Sequence, residues 1–280
     1  MAHTKEALYS NKIFLNAALP LVKVIANDIP SLKKKFENVQ AVIQVSCLDP
    51  ECEAGKHGMH FIINNGEWLV HPCLTEDPDI ELQFKSIENL NDFFKGNITP
   101  AGIPKIKGLK KAGTLVSFVM VLLKMADLLG ATEAPKDEAT KELLVKCYFY
   151  LLSSGISQLN KMGHPEIKDW TTKSPDRVYS FAVDNYPQVS AYIRIKAGKS
   201  RAGRGEYKRA MPFFTLRFNN LDSALGILMS TDDMLEATKA GRLIMDGGPE
   251  FGAQIGGFML EIGALAKYMQ NAECKMQNCG

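Results

Sequence analysis

The chain has 280 residues, of which 46% are hydrophobic and 23% charged, with 33 basic and 31 acidic side chains and a formal net charge of +2. That composition is ordinary for a soluble globular protein, and the length is long for one core but comfortable for two of about 140 residues each. The balanced charge carries no overall footprint for nucleic acid, so no nucleic-acid partner is expected.

In chain order, residues 11–36 read as helical, with Phe14, Ala17, Leu21, Val24 and Ile25 on one side and breaks at Pro20 and Pro30. Short strands follow at residues 41–47 and 59–64, and Asn65-Gly66 is a strong hairpin signal before the returning strand at 67–71. Ile80–Phe84 alternates as a half-buried strand, and residues 86–94 read as a helix with Ile87, Leu90, Phe93 and Phe94 on one side. Residues 102–108 hold a short strand that Pro104 confines to an edge. Residues 115–129 are helical and apolar almost all round, which implies burial on more than one side.

Residues 130–137 (GATEAPKD) form a short polar linker. The second half opens with a helix over 138–162, an irregular stretch over 163–175 and strands at 178–183 and 189–196. A Gly/Lys/Arg-rich loop is expected over 197–209, then a strand at 213–218, a helix over 223–240, a strand at 242–245 and a helix over 249–269. The tail from Gln270 to Gly280 is polar and expected to fray.

One pattern occurs twice. Leu82 and Phe84 match Leu216 and Phe218 at an offset of 134, and Gly102 and Gly108 match Gly241 and Gly247 at an offset of 139. Each half reads as helix, antiparallel strands, helix, short strand and terminal helix. The expected class is therefore α+β, with a mainly antiparallel sheet in each half and helices on one face.

The order of these motifs resembles the sterol carrier protein type 2 (sterol-transfer) family. In the second half the resemblance rests on Leu216, Phe218, Asp222, Gly241, Leu243, Met245 and Gly247; in the first, on Leu82, Phe84, Phe93, Gly96, Gly102, Ile106 and Gly108. It implies two tandem modules, over residues 1–132 and 136–280, each a five-stranded sheet with helices on one face. It also implies an apolar tunnel between sheet and helices that takes up fatty acyl chains, sterols or similar lipids; no cofactor is assigned, and binding without catalysis is expected.

By that resemblance the terminal helices supply the ligand walls: Phe118, Met120, Leu122, Leu123 and Met125 in the first half, and Phe258, Met259 and Ile262 in the second. Met suits a pocket for a flexible apolar guest, and Gly252, Gly256 and Gly257 leave room beside the second set. The same residues could simply fill cores, which would leave a ligand-free scaffold or interaction module of an enzyme system. The glycines fit neither a P-loop nor a dinucleotide fingerprint.

A third reading uses Cys47, Cys52, His57, His60, His71 and Cys73 as a metal or redox cluster, although its spacing is loose and no metal is assigned to it. Cys274 and Cys279 repeat that spacing in the tail. The basic run Lys199–Arg209 is either a solvated loop or a contact for an anionic head group or membrane surface. No G-x-S-x-G or H-E-x-x-H motif is present, so no catalytic residue is assigned.

The opening MAHTKEALYS has no apolar signal-peptide core, and Pro20 interrupts the next apolar run. The stretch 114–129 contains Lys124 and Asp127 and reads as too short to span a bilayer. A soluble, cytoplasmic protein with reduced thiols is expected.

Overall fold

The computed structural model describes residues 3–266. They form two compact units, residues 3–130 with 265–266 and residues 131–264. The fold is α+β, with one five-stranded sheet in each unit and helices packed against it.

In the first unit, Thr4 caps α1 (Lys5–Ile13) by accepting from the Ala7 amide at 3.1 Å. A π-helical turn at Phe14–Ala18 leads past Pro20 into α2 (Leu21–Asp28). Ile29 is extended because proline excludes helical backbone from the residue before it. Thus α2 stops there, and α3 (Pro30–Lys33) starts on its proline. The strands are β1 (Gln40–Leu48), β2 (Lys56–Asn64), β3 (Glu67–His71), β4 (Ile80–Phe84) and β5 (Lys105–Lys107), in the order β3-β2-β1-β4-β5. Asn65 and Gly66, both at positive φ, make the β2–β3 turn. Pairings are antiparallel except for β1 with β4, which is parallel.

Alternation along β1 sends Ala41, Ile43, Val45 and Cys47 to the helical side, where Phe61 of β2 packs on Phe118 at 5.6 Å. Gln44 and Ser46 point to the opposite face and are buried there as well. The connection from β3 to β4 crosses that face: the Thr75 amide donates to Gln44 Oε1 and the Cys73 carbonyl accepts from His60 Nδ1, both at 2.7 Å. Beneath it, Glu81 accepts from Ser46 Oγ (2.7 Å), Gln44 Nε2 (2.9 Å), Lys107 Nζ (3.0 Å) and Lys56 Nζ (3.1 Å). Burial alone would raise the Glu81 pKa; these hydrogen bonds overcome it and hold the carboxyl at about 2.

Two further helices complete the unit. Ser86 caps α4 (Ile87–Phe94), and α5 spans Ala112–Leu129. In α5, Leu115, Phe118, Leu122 and Met125 form a buried stripe, while Val116, Met120 and Leu123 are exposed. The expected burial on more than one side is therefore corrected: one apolar face of α5 is open. Among the described residues α5 is also the one single helix long and apolar enough to cross a membrane, against the expectation from 114–129.

In the second unit, Asp137 caps α6 (Glu138–Lys161) by accepting from the Thr140 amide at 2.9 Å. The stretch expected to be irregular contains α7 (Pro165–Lys173), started by its proline and anchored by Ile167 and Trp170. The strands are β6 (Arg177–Val183), β7 (Ala191–Lys196), β8 (Lys199–Arg204), β9 (Phe214–Phe218) and β10 (Leu243–Asp246). Within the basic stretch expected to be a loop, Lys199–Arg204 is thus an edge strand, joined to β7 by a turn with Ala197 and Gly198 at positive φ. The helix expected over 223–240 is two, α8 (Leu221–Leu228) and α9 (Met234–Lys239), separated where Ser230 takes positive φ. The last is α10 (Pro249–Ala266); the expectations for 267–280, Cys274 and Cys279 included, lie outside the described residues.

The second sheet runs β8-β7-β6-β9-β10, with β6 parallel to β9 and the other pairs antiparallel. Counted within its own unit, each sheet has the order third, second, first, fourth, fifth. The registers match too: Leu82 pairs with Ile106, and Leu216 with Met245. Gly108 and Gly247 follow those last strands at positive φ. A Cβ on Gly108 would lie 1.8 Å from the Asp79 carbonyl oxygen, and one on Gly247 would lie 3.2 Å from that of Phe213. In both units glycine is required where the chain leaves the fifth strand beside the start of the fourth.

Candidate functional site

Two concave sites are described, one in each unit. In the first unit, the turn at Ile29-Pro30 angles α3 away from α2 and leaves Ile29 and Leu32 beside the open face of α5. With Met120 and Leu123 they line an apolar groove of about 440 Å³, within the usual range for small-molecule sites of roughly 300–1,000 Å³. Lys124 and Asp127 stand at its edge, paired with each other at 2.7 Å.

Of the five wall residues expected in this half, the structure brings Met120 and Leu123 to the groove. Phe118, Leu122 and Met125 lie on the other stripe, in the core. That core is filled by ring contacts such as Phe14 with Phe94 at 5.4 Å and Phe36 with Trp68 at 4.8 Å. This apolar groove lies on the outer side of the helices, apart from the tunnel between helices and sheet that the resemblance implied. Ile29 and Leu32 were missed; their signal was the proline break that follows an apolar helix.

In the second unit, a pocket of about 390 Å³ lies between α7 and α10. Glu166, Asp169 and Trp170 come from α7, and Ala253, Gln254, Gly257 and Phe258 from α10. The spacings of three and four residues put each set on one helical face. Trp170 packs on Phe258 and on Tyr179, each at 5.0 Å between centroids. Tyr179 is 1% exposed, its hydroxyl has no hydrogen-bond partner, and Phe213, Phe214 and Phe251 surround its ring. Arg177 caps this aromatic cluster, 3.8 Å above Phe213.

Phe258 is therefore a pocket residue, Met259 is half-buried, and Ile262 packs into the core against Gly155. The three glycines singled out in α10 divide as well. Gly257 faces open space, but Gly252 admits the Met245 sulfur and Gly256 admits Met234, so those two serve close packing.

The metal-like cluster separates across the first sheet. Cys47 lies on the helical side, where the His57 ring shares a hydrogen bond with Asp49 at 2.7 Å and the His3 ring shares another at 3.1 Å. His60 and His71 lie on the other face, stacked at 4.8 Å as opposite residues of β2 and β3. No group of three or more His, Cys, Asp or Glu among the described residues stands where it could hold a metal. Burial pushes the Cys47 thiol up to about 11, with the Asp49 carboxylate adding to the rise against hydrogen bonds from Asn11 and the His57 backbone, so it is protonated at neutral pH.

The basic run Lys199–Arg209 places Lys199 opposite Lys196 and Arg201 opposite Arg194. Arg194 is bound by Asp176 through two hydrogen bonds of 2.6 and 2.8 Å, and Arg204 lies 4.9 Å from the Tyr150 ring.

No protein-family model matches this chain, and no curated protein matches it. Among solved structures it is similar to one described as a UbiJ-SCP2 ubiquinone synthesis protein, at 16% identity and a TM-score of 0.27, over 41% of this chain and 96% of that one. It is similar at the same identity, TM-score and share of this chain to a crystal structure of sterol carrier protein 2, of which 95% is covered. A conserved hypothetical protein from Thermus thermophilus, described as a candidate sterol carrier protein, matches at 15% identity and a TM-score of 0.29, over 51% of this chain and 96% of its own.

Proposed function

We propose that this protein binds and carries hydrophobic small molecules, such as fatty acyl chains or sterols, without catalysing a reaction on them. The observation that carries the reading is the groove of Ile29, Leu32, Met120 and Leu123. These are large apolar side chains at a concave surface, where a guest chain gains about 0.8 kcal/mol for each CH2 it removes from water. The matched strand order, registers and glycines support reading the chain as two tandem sterol-carrier-like modules, over residues 1–132 and 136–280. The proposed setting is the cytoplasm, with the basic edge Lys199–Arg209 in transient contact with an anionic head group or membrane surface.

The filled core behind Phe118 favours a second reading, a scaffold module that holds no ligand. Thermal unfolding of delipidated protein separates the two. A ligand at about 100 times its Kd stabilises by about 2.7 kcal/mol. Carriage predicts such a shift with acyl chains or sterols, weakened by Leu123→Glu. Constant stability across the lipid panel rejects it.

A further inference from the structure

We infer that the second unit's pocket selects amphiphiles with a positively charged head, such as alkylammonium compounds, over carboxylates of the same chain length. This rests on the carrier reading and names the ligand class of one site. The apolar part is the corner of Trp170 and Phe258, with open space beside Gly257 for a chain. The polar part is Glu166, Asp169 and the amide Gln254; among the described residues no lysine or arginine lines the pocket. A carboxylate head would sit beside two like charges. An ammonium would meet opposite charge beside Trp170, and tryptophan is the aromatic side chain with the strongest attraction for cations.

Asp169 already holds an ammonium. Lys173 Nζ lies 2.7 Å from its carboxylate, with both side chains more than half exposed. Exposed pairs of this kind are weak. A ligand ammonium whose chain is buried against Trp170 displaces Lys173 without a large loss.

The test is calorimetric titration of the full chain at low ionic strength with decyltrimethylammonium, decyl maltoside and decanoate, all below their aggregation concentrations. Heats lost in Trp170→Ala are assigned to this pocket. The expected result is an affinity about tenfold higher for the ammonium than for decanoate, with the ratio falling to about threefold in Glu166→Gln/Asp169→Asn, where Trp170 remains. Equal or reversed affinities in the native protein overturn the inference, as does a preference that the double substitution leaves unchanged. If decyl maltoside binds while the ammonium preference is absent, only the head-group assignment fails. If none of the three binds, the carrier reading fails for this unit too.

Discussion

Glu81→Gln is expected to remove a pH-dependent part of the first unit's stability. The side chain is 5% exposed and accepts four hydrogen bonds. Its folded pKa of about 2 lies below the ordinary 4.5, a difference worth about 3 kcal/mol. Lys56 and Lys107 are partly exposed, at 27% and 45%, so screening discounts their share, which leaves about 2 kcal/mol. Because the folded value is depressed, this stability is fully present above the unfolded value of 4.5. It is lost as pH falls through that value towards the folded one. Urea unfolding in a Trp170→Phe background leaves Trp68, buried in the first unit, as the reporter. The native protein should exceed Glu81→Gln by about 2 kcal/mol at about pH 7, with a gap near zero at about pH 2. A gap that is the same at both pH values, or absent at the higher one, would refute the reasoning.

Other substitutions test the remaining structure. Gly108→Ala should cost about 3 kcal/mol, because it combines positive φ with a near collision; Gly241→Ala, with positive φ but open space around it, should cost only about 1 kcal/mol. Equal losses in urea denaturation would contradict that ranking. Phe118→Ala should cost about 3–5 kcal/mol by emptying the core, whereas Met120→Glu should change stability by less than about 0.5 kcal/mol and still weaken acyl-chain binding. Alkylation at neutral pH followed by peptide mapping should label the exposed Cys73 and spare Cys47, whose thiol is buried and raised to about 11; rapid labelling of Cys47 in folded protein would show that its burial is wrong.

Local order was legible where one residue decides a local conformation. Asn65-Gly66 announced a hairpin, Pro30 a helix break and Pro249 the start of the last helix, and the alternation at Leu82 and Phe84 marked a strand, whereas the helix that Pro165 starts fell in a stretch expected to be irregular. The repeated glycines were legible as spacing, although the cause at Gly108 and Gly247, close approach to the start of the fourth strand, is visible only in the folded chain. The strand β8 was hidden because Lys, Arg and Gly have little preference for sheets, and its pairing with β7 supplies what propensity does not. In α5 the apolar residues surround the helix, so periodicity could not say that Phe118 turns inward and Met120 outward. The Glu81 network joins residues from four strands, and no local pattern reports such a meeting. For the same reason the pocket between α7 and α10 could not be read: Trp170 and Phe258 are 88 residues apart in sequence.

The most direct measurement is native mass spectrometry of the purified full chain, followed by solvent extraction and analysis of the extract. Carriage predicts a co-purifying lipid near one equivalent for each occupied site, released when Met120 and Leu123 are both replaced by Glu if it occupies the first groove. A protein that emerges empty, and then takes up neither acyl chains nor sterols in titration, would contradict it.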